Sequence, residues 1–203
     1  MGAKEKRTKY KEEFRREILD AAREFLIEEG YEKFSMRKLA ERIEYSPTTI
    51  YFYFKDKDDL LLAICEEIAC HFFANLTDFR AAHTDSLDSL NQALLYLIGF
   101  GFDHPEEYKV FFIMGPKVYR TFDEFIEKES IARNAYFVLR EIVNSCMETG
   151  RFQEMDIDIL TQVFILATQG LAALVVYKKS FPRIDRNVLA HTLVEGLIRG
   201  YQR

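Results

Sequence analysis

Tryptophan is absent from the 203 residues and cysteine is scarce, with three. Cys65, Cys70 and Cys146 form no CxxC pair. An odd count, with no apolar leader resembling a secretory signal, points to a reduced, cytoplasmic setting. No apolar run reaches the roughly twenty residues of a membrane span: the most apolar stretch, 164–177, is interrupted by Thr168, Gln169 and Gly170, so no membrane partner is expected. Strand-like alternation of useful length, internal repeats and low-complexity tracts are all missing, which leaves an all-α fold. Enzyme signatures are missing too: there is no GxSxG, no phosphate-cradling glycine loop, and no Cys/His pair with an orienting acid. Cys65-Glu66-Glu67-x-x-Cys70-His71 reads as half a metal site, but no Glu/His pair elsewhere supplies the other half. No enzyme activity, cofactor or metal is therefore expected, and His71, His83 and His191 read as surface or packing residues.

What is present is an ordinary globular composition, 48% hydrophobic and 30% charged, enough for one large or two small domains. The net charge of −5 is unevenly spread. Residues 1–57 carry fourteen Lys/Arg against twelve Asp/Glu, and residues 58–203 carry fourteen against twenty-one. A mildly basic head thus precedes an acidic body. The basic stretch KEKRTKYK, 4–11, reads as a flexible arm, either a solvated leader or a contact for phosphates. Helical spacing then predicts a helix over 10–29, stopped by Gly30.

The stretch 35–57, SMRKLAERIEYSPTTIYFYFKDK, organises the rest. Ser35 caps a helix whose apolar face is Met36, Leu39, Ala40 and Ile43. Ser46-Pro47 is a cap followed by proline at the first helical position, so a second short helix starts there. If Ile50 and Phe54 turn inward, Thr48, Thr49, Tyr51, Phe52 and Tyr53 remain on or near its surface. Hydroxyls and phenols beside Lys55 and Lys57 suit phosphate oxygens and base edges, and methyls and rings suit a thymine methyl.

SMRKLAERIEYSPTTIYFYFKDKDDLLLAI (35–64) closely resembles the helix-turn-helix of the tetracycline-repressor (TetR/AcrR) family, and ILDAAREFLIEEGYEKFS (18–35) resembles that family's first helix. Glu44 departs from the pattern, since the family usually has glycine in this turn. The resemblance implies a three-helix DNA-binding domain over 1–56, its first eleven residues a flexible basic arm, and a ligand-binding and dimerisation domain over 57–203, about nine helices in all. Base-edge contacts are assigned to Pro47, Thr48, Thr49 and Phe52. Phosphate contacts go to Ser35, Ser46, Tyr51, Tyr53, Lys55 and Lys57, with Arg37 in the same DNA-contacting set.

Beyond the head, Asp56 is expected to cap a helix over 57–81 whose tilt would move the recognition helix. Further helices are expected over 85–102, from 103, over 122–149, over 156–179 and over 185–202, the last two separated by Ser180-Phe181-Pro182-Arg183. The body holds most of the aromatic rings, as an apolar pocket requires. The expected lining is Phe72, Tyr96, Phe100, His104, Tyr108, Phe112, Asn134, Phe137, Phe164 and Gln169. The resemblance implies an apolar or amphipathic small-molecule effector and a homodimer through the last two helices, where Ala167, Gly170, Ala172 and Ala173 make a flat patch. The expected function is a ligand-responsive repressor of a pseudo-palindromic operator in double-stranded DNA. The rivals are a helical small-molecule-binding or metal-dependent protein whose helix-turn-helix is not used on DNA.

Overall fold

The computed structural model describes residues 3–82, 84–113, 121–178 and 183–203. His83 and most of the 180–183 breaker lie outside them. The described residues form ten α-helices: α1 (Ala3–Glu29), α2 (Met36–Arg42), α3 (Pro47–Tyr51), α4 (Lys57–Ala82), α5 (Ser86–Asp103), α6 (Pro105–Tyr108), α7 (Phe122–Glu127), α8 (Ile131–Glu148), α9 (Ile157–Tyr177) and α10 (Arg186–Tyr201). A 3-10 turn (Tyr31–Lys33) follows α1, and a π turn (Lys109–Ile113) extends α6. Among the described residues the only β pairing is an isolated bridge between Phe152 and Gln202.

Side-chain caps explain most of the helix boundaries. Ser35, Ser46, Asp85, Thr121, Ser130, Asp156 and Asp185 each accept a hydrogen bond from a backbone N–H in the first turn that follows. Asp56 does the same for α4, accepting from Asp59 N at 2.9 Å, while Asp59 Oδ2 accepts from Lys55 N at 2.9 Å.

Two expectations need correcting. The basic stretch 4–11 is not a flexible arm: it is helical and continuous with α1 from Ala3. Residues 3–29 contain no glycine or proline, Lys, Arg, Glu and Ala are strong helix formers, and Lys9 pairs with Glu13 at 3.6 Å one turn on. Nor is 122–149 one helix. It breaks at Lys128–Ser130 because Ser130 Oγ caps α8 through Arg133 N at 3.1 Å, and the Arg133 guanidinium donates to the Ile126 carbonyl that ends α7.

The chain forms two compact units, and their division falls inside α4 rather than before it. The first holds residues through Ile68 together with the α6 and π-turn segment. Its core is Phe14, Ile18, Leu19, Phe25, Leu26, Leu39, Ile50, Phe54, Leu60, Leu61 and Ile64, all buried, with Tyr108 and Val110. Arg23 clamps this unit, with its guanidinium on Glu67 and its Nε 3.3 Å from Glu107. Cys65 donates to the Val110 carbonyl, and burial pushes its thiol up to about 12, so it stays protonated.

The second unit is built around α5, which packs against α8, α9 and α10. Leu90, Leu94 and Ile98 of α5 are buried, as are Leu139, Val143, Leu160, Phe164, Val194 and Ile198 of the helices packed on it. Thr161 and Thr168 are buried yet satisfied, donating to the Ile157 and Phe164 carbonyls one turn back. By length and composition alone, α4 and α9 are long and apolar enough to cross a membrane.

Candidate nucleic-acid interface

The turn between α2 and α3 sets the whole head. Tyr45 N donates to Ala40 O at 3.0 Å and Glu44 N to Glu41 O at 3.3 Å, the paired bonds of a Schellman stop. That motif needs a left-handed residue at its centre, and Glu44 takes it with φ 58°, the sole non-glycine positive φ among the described residues. The strain costs about 1–2 kcal/mol, and the surrounding packing holds it. Glu44→Gly is therefore expected to raise stability by about 0.5–1 kcal/mol after glycine's greater unfolded-state entropy is subtracted, as read from the midpoint of urea denaturation.

The turn is held from one side by Phe14 of α1, whose ring meets Tyr45 at 4.6 Å and Tyr53 at 5.2 Å, both edge-on. Arg42 at the end of α2 reaches back to Glu28 of α1 at 2.7 Å. Ile43, expected in the core, is only half-buried, since it sits at the helix stop rather than on the inner face.

On α3, Ile50 and Phe54 point inward and are buried, as their spacing predicts. Pro47, Thr48, Tyr51 and Lys55 are exposed, and Phe52 is 78% exposed. A phenylalanine this bare on a one-and-a-half-turn helix is not held there by packing. Thr49 is half-buried, and its hydroxyl lies 2.9 Å from Ser46 Oγ, which also accepts from Thr49 N. Its methyl, rather than its hydroxyl, is what it can offer a base. Ser35 is held by its capping role on Lys38 N, and Arg37 is exposed and paired with Glu41 at 3.1 Å.

Lys57, expected to contact phosphate, is engaged within its own chain. Its ammonium stacks 3.9 Å from the Tyr31 ring centre and donates to the Phe34 carbonyl at 3.3 Å. Burial there pulls its pKa below the usual lysine range, against the opposing pull of Glu32 and Asp58. As the first residue of α4, it ties that helix to the connection between α1 and α2. Tyr53 is half-buried against Phe14, so only part of it faces outward. Tyr45, which sequence reasoning missed, is 41% exposed beside these residues. The readable signal for it is its place just after the turn residue, where a Schellman stop takes an apolar contact.

The expected effector lining is divided between the two units. Phe72 meets Tyr96 at 5.4 Å and Phe100 at 4.8 Å, Phe100 stacks on His104 at 5.3 Å, and Asn75 Nδ2 donates to Tyr96 Oη at 3.2 Å. These four candidates form one cluster along α4 and α5. Tyr108 and Phe112 pair at 5.1 Å within the first unit. Phe164 packs instead into the core on Phe152 and Tyr201. Asn134 is exposed one turn after the α8 cap, and Ala172, expected on the flat patch, is fully buried. Gln169 is half-buried on α9. Phe137 lines a separate cleft of about 400 Å³ with Phe122, Tyr136, Arg140 and Asp158. In that cleft the Arg140 guanidinium, 2.6 Å from Asp158, holds the carboxyl below its ordinary range.

Residues 18–64 match the family model described as bacterial regulatory proteins, tetR family. The fatty acid metabolism regulator protein of Bacillus subtilis is 35% identical over 75 residues, 37% of this chain and 36% of that protein. The HTH-type transcriptional repressor Rv1474c of Mycobacterium tuberculosis is 43% identical over 53 residues, 26% of this chain and 28% of that one. The matched stretch thus spans only about a third of these relatives. Among solved structures, the TetR/AcrR-family transcriptional regulator of Thermobifida fusca superposes with a TM-score of 0.69 at 20% identity, covering 94% of this chain and 100% of that one. The regulator FadR of Bacillus subtilis, in complex with stearoyl-CoA, does so with 0.71 at 20% identity, covering 91% and 98%. The helix-turn-helix of residues 35–54, capped at Ser35 and Ser46 and stopped at Glu44, lies within the segment 18–64 that is similar to the tetR family of bacterial regulatory proteins, and the fold of the chain is similar to that of the solved TetR/AcrR-family regulator.

Proposed function

We propose that the protein is a ligand-responsive transcriptional regulator, a repressor that binds a pseudo-palindromic DNA operator as a homodimer and leaves it when an apolar or amphipathic small molecule binds the body. The carrying observation is α3: a helix capped by Ser46, begun by Pro47 and exposing Thr48, Tyr51 and Phe52. Such a helix fits the major groove, with Thr48 and Phe52 at base edges and the Thr49 methyl beside them. Tyr51, Tyr53, Lys55 and the Ser46 cap face phosphates.

The dimer reading is supported by α9 and α10, which leave Ile159, Leu166, Tyr177 and Val188 at 57%, 69%, 48% and 56% exposure. A Cβ added at Gly170, Gly196 or Gly200 would meet nothing within 4 Å, so a second chain can approach closely. A two-fold axis through this face holds two copies of α3 at one separation, which sets half-sites about 34–36 Å apart or a multiple of that. The fold shared with FadR, whose structure contains stearoyl-CoA, supports a lipid-like effector, and the Phe72, Tyr96, Phe100 and His104 cluster is the apolar wall it would meet. Effector binding lowers operator affinity by favouring an arrangement in which the two recognition helices no longer match the half-sites.

The test is a gel-shift titration over salt with two variants. Thr48→Ala is expected to change preference at one base position by about 1–3 kcal/mol, while Lys55→Ala weakens every sequence and lowers the salt slope by about one. Equal effects of both on all sequences would remove the division between base and phosphate contacts.

A further inference from the structure

Residues 5–13 of α1 are all exposed, yet they are not uniformly charged. Arg7, Lys11 and Arg15 recur every fourth residue and so share one stripe of the helix. Phe14, adjoining that stripe, is the residue that touches Tyr45 and Tyr53 beside the recognition helix, and the Arg15 guanidinium lies 4.8 Å from the centre of the Phe54 ring. The stripe therefore starts at the exit of α3 and runs toward the N-terminus for about 12 Å.

The opposite side of α1 is mixed and mainly acidic. Glu12, Glu13, Glu17, Asp20 and Glu24 line an open groove with Lys9 and Arg16, and Lys9 is paired with Glu13. Among the described residues no ion pair forms at Arg7, Lys11 or Arg15, although six other cations of the first unit (Lys9, Arg23, Lys33, Arg37, Arg42 and Lys109) are paired. The carboxylates that line this groove lie away from the stripe and are interspersed with Lys9 and Arg16, whereas the stripe beside the DNA-reading surface carries cations at all three of its positions.

We infer that α1 is a rigid phosphate rail: Arg7, Lys11 and Arg15 follow the sugar-phosphate backbone of duplex DNA beyond the bases that α3 reads. This rests on the DNA-binding reading above and deepens it. Successive cations of the stripe are about 6 Å apart along α1, comparable with the through-space separation of neighbouring phosphates on one strand, so all three have partners within reach. Because the segment is helical rather than a loose arm, the contacts come in fixed register. The acidic side faces away from the duplex, which sets the sense of docking.

The test compares the full chain with two double variants of equal charge loss, Arg7→Ala/Lys11→Ala on the stripe and Lys6→Ala/Lys9→Ala off it, binding a 30-base-pair duplex between 50 and 200 mM salt. All four positions are exposed helix surface, so folding is unaffected. Each lost phosphate contact lowers the slope of log affinity against log salt by about 0.9. The stripe variant is expected to lose about 1.8 per bound chain, so that its affinity falls about twelvefold less across this range, with base preference unchanged. The off-stripe variant is expected to stay within about 0.5 of the unaltered protein. An unchanged slope in the stripe variant, or equal losses in both, overturns the rail while DNA binding stands. Failure of the unaltered protein to bind duplex at all overturns both readings.

Discussion

Leu166→Glu is expected to convert the protein from dimer to monomer at micromolar concentration and to weaken operator binding at least a hundredfold. Leu166 is 69% exposed in the single chain, on the apolar face that α9 shares with Leu174 and, through α10, Val188. In a two-fold contact the substitution places two carboxylates in a desolvated interface, where an unpaired charge costs several kcal/mol. Losing the second head removes the avidity of linked sites, about 10²–10⁴ in affinity. Because the residue makes little contact within its own chain, the melting temperature of the isolated monomer should barely move. Sedimentation velocity and a gel shift on the same sample check this. A variant that stays dimeric, or a monomer that binds as tightly as before, contradicts the proposed interface.

Phe14→Ala is expected to cost about 3–5 kcal/mol, a large share of the stability of an ordinary domain. The ring is 5% exposed and is the packing partner of both Tyr45 and Tyr53, so its removal leaves a cavity under the turn that aims α3. Phe14→Leu, which keeps most of the volume, should cost under about 2 kcal/mol. Denaturant titration gives the magnitude, and hydrogen exchange across 36–54 gives the place, with the amides of α2 and α3 losing protection first. A loss below about 1 kcal/mol, or loosening confined to the second unit, would show that Phe14 does not support the turn.

The head was legible in the sequence because its signals are local. Ser35, Ser46 and Asp56 are caps whose partners lie three residues on, Pro47 announces a first turn, and Ile50 and Phe54 declare the inner face by spacing alone. Glu44 was legible as a departure from the glycine of the resembled turn, and its positive φ is the conformation that glycine adopts freely. The intrachain partners of Lys57, the Tyr31 ring and the Phe34 carbonyl, were not legible because they lie more than twenty residues away and no local pattern encodes them.

The same limit applies to the body. Helices α5, α9 and α10 could be placed from periodicity, but which aromatic rings meet depends on rotation about each helix axis, set by packing. Phe72 and Phe100 come together while Phe164 turns to Phe152 and Tyr201. The break between α7 and α8 was hidden because a serine within charged residues reads equally well as exposed helix until its cap on Arg133 is formed.

The most direct test of the central claim, that α3 is a major-groove probe carried in duplicate, is selection of bound duplexes from a random-sequence pool at low ionic strength. The account expects enrichment of a pseudo-palindrome whose half-sites are centred about 34–36 Å apart or a multiple of that. A pool returned without enrichment, or enriched for a single unpaired half-site, contradicts it.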